Sequence, residues 1–427
     1  MMMKKQKKRN GFRTWMAVFC LTAALFGTAG CKSSLESGRG TNSEGSLENG
    51  YETSQASDLS AEDTGSVSSS AQQLPAEVRW SELKPDHALT LSYADQFAVD
   101  YYEAGYTLLT IRDSGRFLLV PEEAPVPDGL PEDVAVIHTP LHNIYLAATS
   151  AMDLFRELDG IGQITLSGTD ASGWYVKEAR QAMEAGKMVY AGKYNTPDYE
   201  RILSSSCDLA IESTMIYHSP EVKEQLEHLG IPVLVERSSY ESHPLGRMEW
   251  IKLYGALLGK EEEAEECFSA CMKALEPVLK QKSTGKTAAF FYISSNGYVN
   301  VRKPGDYVAK MIEMAGGSYV PQNPAEQENA LSTMNMQMEA FYAAAKDADY
   351  IIYNSTIDGE LNSLDELLEK SSLLADFKAV KEGHVWCTGK NLFQETMGLG
   401  DMILDIHRIL SEDIPDPNRM TYLHPLR

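Results

Sequence analysis

The chain predicts an α/β protein made of two mostly parallel α/β lobes joined by a single long α-helix. Three observations carry this prediction. Compact apolar runs alternate with helix-patterned stretches from Val134 to Val235, as in a mostly parallel sheet covered on both faces. The alternation restarts at Ala288 and continues to Leu410. Between the two stands Glu261 to about Gln281, where Ala264, Cys267, Phe268, Cys271, Leu275, Val278 and Leu279 recur at three- and four-residue steps. Twenty residues at 1.5 Å each make a rod of roughly 30 Å, long enough to reach across two bodies. Pro277 lies inside it and should loosen the last turn.

Taken in order, residues 1–30 carry Lys4, Lys5, Lys7, Lys8, Arg9 and Arg13, then the apolar run Trp15 to Phe26, then Gly27-Thr28-Ala29-Gly30-Cys31. A basic stretch, a short apolar run and small residues before a break mark an export signal rather than a spanning helix. The cysteine after Ala29-Gly30 resembles the lipobox of bacterial lipoproteins, with Thr28 standing where a branched aliphatic residue is usual. That resemblance implies lipidation at Cys31 and a place on the extracytoplasmic face of the cell membrane; the alternative is a plain secreted protein with Cys31 free. Residues 31–76, rich in Ser, Gly, Glu and Thr, read as a flexible tether that holds the folded body on the order of 35 to 40 Å from its anchor.

The net charge is −23, and removing the six basic residues of the leader makes it −29. Such a surface repels nucleic acid and anionic headgroups. The remaining cysteines, Cys207, Cys267, Cys271 and Cys387 beside Cys31, form no disulfide framework. Cys267 and Cys271 read as small residues of the helix stripe, since no second Cys or His pair supports a metal.

The folded part, about 350 residues from Glu77 on, exceeds what one core usually serves. Residues 77–133 read as a small β-rich extension of the first lobe, with strands at Phe97–Tyr102, Tyr106–Ile111 and Arg116–Val120 and a turn at Asp113-Ser114-Gly115. Residues 134–258 make the first lobe, beginning with the strand Val134–His138. Residues 259–284 make the interlobe helix and residues 285–427 the second lobe. The halves echo each other: Thr196-Pro197-Asp198-Tyr199-Glu200 and Asn335-Met336-Gln337-Met338-Glu339 each place a glutamate four residues after an N-cap candidate.

Several stretches then resemble one family. Pro197 to Leu203 followed by Asp208-Leu209-Ala210-Ile211, Asp347-Ala348-Asp349-Tyr350-Ile351-Ile352, Gly259-Lys260-Glu261-Glu262-Glu263-Ala264 and Ala315-Gly316-Gly317 look like the helix-linked substrate-binding lipoproteins of ABC importers that carry iron siderophores, haem or cobalamin. The extension and Cys207, where a proline is usual, depart from that pattern. The resemblance implies a monomer that binds a metal chelate, with no cofactor of its own, and delivers it to an ABC permease dimer and its ATPase. It assigns docking on the permease to Glu200 and Glu339. Two carboxylates held apart by a stiff helix would set register more than affinity.

In open α/β sheets ligands collect beyond the carboxyl ends of strands, so two lobes share a cleft there. The loops in question carry the candidate ligand-binding residues Thr149, Tyr217, Arg237, Tyr240, His243, Arg247, Tyr298, Arg302, Trp386 and Phe393. Aromatic faces beside guanidinium groups suit a large flat or anionic chelate. His243 is either a ligand to the metal of the chelate, with Tyr240 as a phenolate option, or a loop residue capping the helix that starts near Pro244. The sequence holds no Gly-x-Ser-x-Gly elbow, no His-Glu-x-x-His and no phosphate-binding glycine loop, and no catalytic residue is assigned. A surface-anchored enzyme or an adhesion or signalling module on the same fold are the alternatives.

Overall fold

The structure is a computed structural model that describes residues 77–322 and 333–427. The leader, Cys31 and the tether lie outside the described residues. The first element is a five-stranded sheet in sequential order, β1 (Pro85–Ala88), β2 (Phe97–Tyr102), β3 (Thr107–Ile111), β4 (Gly115–Pro121) and β5 (Val134–Thr139). The first four run antiparallel, and Asp113, at φ 53, turns the chain between β3 and β4. Strand alternation sends Leu109, Ile111, Phe117 and Leu119 to one face, into the main core, and Leu108, Leu118 and Val120 to the other, around Tyr106.

β5 corrects the sequence reading. It pairs in parallel with β4 and belongs to the extension, not to the first lobe. Its apolar residues Val134 and Ile137 join the two faces of the extension sheet. The strand that opens the first lobe is the shorter β6 (Ile144–Leu146), three residues buried on both sides and too brief to show a period.

The first lobe continues through α1 (Met152–Glu157), β7 (Ile164–Ser167), α2 (Lys177–Glu184), β8 (Val189–Tyr190), the small hairpin β9 (Gly192–Lys193) and β10 (Thr196–Pro197), α3 (Tyr199–Ser204), β11 (Leu209–Ser213), α4 (Pro220–His228) and β12 (Val233–Glu236). Its sheet has the order β12-β11-β6-β7-β8 and every pairing is parallel. Parallel strands covered by crossover helices are buried on both faces, which explains the continuous apolar runs.

Three helices follow, α5 (Pro244–Glu249), α6 (Ile251–Leu258) and α7 (Glu261–Leu279). Gly259, at φ 65, ends α6 in the left-handed conformation. Gly255 lets α7 fold back closely, since a Cβ there would stand 2.7 Å from that of Ala264. In α7, Ala264, Phe268, Leu275 and Val278 are buried, Cys267 and Cys271 are half-buried, and Leu279 is 37% exposed. The helix runs two residues past Pro277. It packs on α6 and on the last helix of the chain, so the long helix is part of a packed wall.

The second lobe comprises β13 (Thr287–Ile293), β14 (Val299–Arg302), α8 (Tyr307–Met314), β15 (Ser318–Val320), β16 (Thr333–Met336), α9 (Met338–Ala345), β17 (Tyr350–Tyr353), α10 (Ser355–Asp358), α11 (Leu364–Lys370), α12 (Lys378–Glu382), β18 (Val385–Thr388), α13 (Leu399–Ser411) and β19 (Leu423–Pro425). Among the described residues its sheet has seven strands. β15, β13, β17 and β18 are parallel, and β14, β16 and β19 are antiparallel additions at the edges. One core cluster runs from the extension through α5, α6 and α7 to α8 and α13. A second fills the far face of the second lobe's sheet.

Candidate functional site

The loops at the carboxyl ends of the two sheets meet. After β7, Tyr175 packs edge-on against Phe393, which follows β18, with ring centroids 6.1 Å apart. The next residues of the second lobe reach into the first. The Tyr175 N–H donates to Gln394 Oε1 at 2.7 Å, and Gln394 Nε2 donates to the Gly173 carbonyl at 2.7 Å. The Thr396 hydroxyl donates to the Ser150 carbonyl at 2.8 Å, and the Met397 N–H to the carboxylate of fully buried Asp153 at 2.8 Å. Residues 393–397 are therefore a strap between the lobes. A hollow of about 470 Å³ opens beside it, bounded by Tyr175 on one side and Gly389, Lys390 and Asn391 on the other.

A second meeting point lies at α5 and α8. The Arg247 guanidinium sits 3.6 Å from the ring centre of Tyr307, and Arg302 is 5.5 Å from the same ring. Arg247 is aimed by its own lobe, donating from Nε to the Glu241 carbonyl at 3.2 Å and from Nη2 to that of Ser239 at 2.6 Å. Arg302 pairs with Asp306 at 3.7 Å, and Asp306 also caps α8 by accepting from the Val308 N–H at 2.9 Å. Burial pulls Arg247 below the ordinary arginine range, with Tyr307 and Asp306 opposing the shift. Nearby, Glu236 ends β12 almost fully buried and accepts from the Ser150 hydroxyl at 3.0 Å and the Ser238 N–H at 2.7 Å. Burial raises its pKa against those hydrogen bonds.

The third cluster surrounds Arg237, the residue after β12. Its guanidinium is 4.3 Å from the ring centre of Tyr240 and donates to the Tyr217 hydroxyl at 3.0 Å and to Gln96 Oε1 at 3.2 Å. Tyr217, Tyr240, Tyr298 and Phe393 stand among the exposed large apolar residues, as do Met215 on the turn of Tyr217 and Ile357 in α10. Wet aromatic and aliphatic side chains beside arginines are the chemistry of a recognition surface.

A family model described as a periplasmic binding protein matches residues 150–392, more than half of the chain. The chain belongs to the periplasmic binding protein family. Two uncharacterised lipoproteins of Methanocaldococcus jannaschii are similar in sequence. One is 26% identical over 313 residues, covering 69% of this chain and 72% of the relative. The other is 25% identical over 310 residues, covering 69% and 75%. A periplasmic haem-binding protein from Pseudomonas aeruginosa shares the fold at 16% identity and a TM-score of 0.52, covering 67% of this chain and 98% of that one. A periplasmic binding protein from Veillonella parvula does so at 18% and 0.51, covering 66% and 96%. The family segment begins after the five-stranded extension.

In this periplasmic binding protein the ten candidate ligand residues fall into different settings. Arg237, Tyr217 and Tyr240 form one cluster, and Arg247 and Arg302 share Tyr307. Phe393 sits on the strap, Thr149 opens the half-buried turn after β6, and Tyr298 lies on the exposed β13–β14 hairpin. Trp386 departs from expectation. It lies within β18, paired with Pro425, and is 5% exposed in the main core, because this central strand is buried on both faces. His243 is the N-cap of α5: its Nδ1 accepts from the Leu245 N–H at 3.2 Å and its ring stacks on Tyr93 at 5.1 Å. Burial and the Lys310 charge lower its pKa, so the ring is neutral at pH 7. Among the described residues no group of three or more His, Cys, Asp or Glu is arranged to hold a metal ion.

Glu200 and Glu339 are both exposed, and each is the second residue of its helix. The caps differ from those the sequence suggested: Asp198 caps α3 by accepting from the Arg201 N–H, and Gln337 stands at the cap position of α9 without a side-chain bond. Sequence reasoning missed Gln394, Thr396, Ser150 and Tyr307, single polar or aromatic loop and helix-end residues with no periodic signal. Glu236, an acid closing a three-residue apolar run, was findable as a buried carboxylate.

Proposed function

We propose that the protein is a lipid-anchored extracytoplasmic receptor of an ABC importer. It captures a metal chelate between its lobes and hands it to a permease dimer and its ATPase, working as a monomer tethered through Cys31. An iron siderophore is the favoured cargo, with haem and cobalamin next. No chemical step on the cargo is part of this reading. The observation that supports it most is a pair of arginine–aromatic clusters: Arg247 of α5 and Arg302 of β14 share the half-buried ring of Tyr307 between the lobes, and, separately, Arg237 stands beside the exposed rings of Tyr217 and Tyr240. Among the similar structures are two described as haem-binding, from Pseudomonas aeruginosa and Vibrio cholerae, so a flat anionic chelate is within the fold's reach.

The contact residues proposed are Tyr217, Arg237, Tyr240, Arg247, Tyr298, Arg302 and Phe393, with Thr149 and His243 at the margin. Docking falls to Glu200 and Glu339. The test is titration of the purified full chain with a ferric tricatecholate, a ferric trihydroxamate, haemin and cyanocobalamin, read by tryptophan quenching and absorbance. Tight binding of one class identifies the cargo; no response to any removes the receptor reading. In cells, the E200R/E339R double variant is expected to keep binding and lose uptake, and normal uptake would remove the docking assignment.

A further inference from the structure

The five-stranded extension precedes the family segment, yet it touches the recognition loops directly. Two buried carboxylates hold residues 92–96 of the extension in place. Glu249 accepts from the N–H groups of Ser92, Tyr93 and Ala94 at 2.7 to 3.1 Å, and Glu241 from those of Asp95 and Gln96 at 3.0 to 3.1 Å. Glu241 also accepts from Trp250 Nε1 at 3.0 Å. Gln96 is thereby fixed where its side-chain oxygen takes one donor of Arg237. From the β3–β4 turn, Asp113 brings a carboxylate to 3.7 Å of the same guanidinium.

Arg237 is 6% exposed and its Nε, buried, has no hydrogen-bond partner. A buried guanidinium with an open donor is short of an acceptor. Among the described residues Asp113 is the only carboxylate within 4.0 Å of it, and Asp113 is 78% exposed and beyond hydrogen-bonding distance. A contact so long and so wet is easily displaced. A carboxylate or catecholate oxygen pair arriving over the Tyr240 ring would offer the two-point contact that Asp113 does not make. The other groups facing Arg237 are neutral, namely Tyr217, Tyr240 and Gln96, while Arg112 and Asp95 pair with each other at 3.6 Å on the flank.

We infer that the extension forms one wall of the cargo site, and that Asp113 occupies Arg237 as an internal stand-in for an anionic group of the cargo. Gln96 sets where the guanidinium points, and Asp113 sets how much negative charge the incoming group must carry to replace it. The extension then acts as a charge filter on the cleft. This rests on the cleft being the cargo site, as proposed above.

The test compares a ferric tricatecholate, which is anionic, with a ferric trihydroxamate, which is neutral, on the full chain. Asn tolerates a positive φ as Asp does, so D113N keeps the turn. D113N is expected to raise the ratio of the neutral to the anionic Kd at least about threefold, because the competing charge is gone while the acceptor is kept. R237Q is expected to weaken the anionic chelate about tenfold or more and to erase the effect of D113N. An unchanged ratio in D113N, or the same change with R237Q in place, overturns the inference while leaving the receptor reading intact. A wild-type protein that binds neither chelate, haemin nor cyanocobalamin overturns both.

Discussion

Glu212 is fully buried in β11 on the face shared by Tyr145 and Tyr199, and among the described residues neither of its oxygens has a hydrogen-bond partner. Desolvation pushes its pKa from 4.5 to about 8. The unfolded chain releases this proton near 4.5 and the folded chain keeps it to about 8, so the unfolded state binds fewer protons in that window. Stability from this residue is therefore greatest below about pH 4.5, falls as pH climbs to about 8, and is level above. Glu212→Gln, which mimics the protonated acid, should gain on the order of 2 to 4 kcal/mol at pH 8.5 and little at pH 4.5. Urea unfolding at both pH values checks this, and an equal effect at both would contradict it. At this scale arginines near turns were legible in the sequence because charge beside glycine and aromatic residues marks a loop. Trp386 was misplaced for the opposite reason: a strand buried on both faces gives no alternation to show which side chains face inward.

Among the elements, the docking of the extension onto α5 depends on few atoms. Glu249 receives three backbone N–H groups and lies 3.4 Å from Lys252 Nζ, itself 2.8 Å from Glu265 of α7. Glu249→Ala would leave three amides short of an acceptor while Lys252 keeps Glu265, a loss of about 3 to 5 kcal/mol. A change under about 1 kcal/mol in urea unfolding would show that water replaces the carboxylate without cost. Most of the parallel strands, and α7, could be read from the sequence because compact apolar runs, or a sustained helical stripe, encode burial. The strands β6, β9, β10, β14, β16 and β19 could not. They are two to four residues long, and several are antiparallel additions whose place is set by the neighbouring strand rather than by their own pattern.

For the molecule as a whole, the repeat of the strand-helix alternation on either side of α7 makes the two-lobe plan legible in the sequence. What it did not reveal is how firmly the lobes hold each other. Besides α7, they share a core and the Gln394, Thr396 and Met397 strap. Loading should thus change the radius of gyration by less than about 1 Å, a small adjustment beside hinged domain closure. X-ray scattering with and without a bound chelate measures it, and a contraction of several ångströms would mean the strap opens in solution. Replacing Gln394 by Ala should loosen this seam, seen as faster amide exchange at Tyr175 and Val176, whose N–H groups it accepts.

The pair of sunken acids at positions 241 and 249 also governs how this protein can be divided. A polypeptide cut back to the recognised stretch, 150–392, would still carry both carboxylates in its interior but none of the amides from 92–96 that neutralise them. Grafts and hybrids with shorter receptors have to bring the amino-terminal sheet along, or swap those two acids for apolar side chains of similar size.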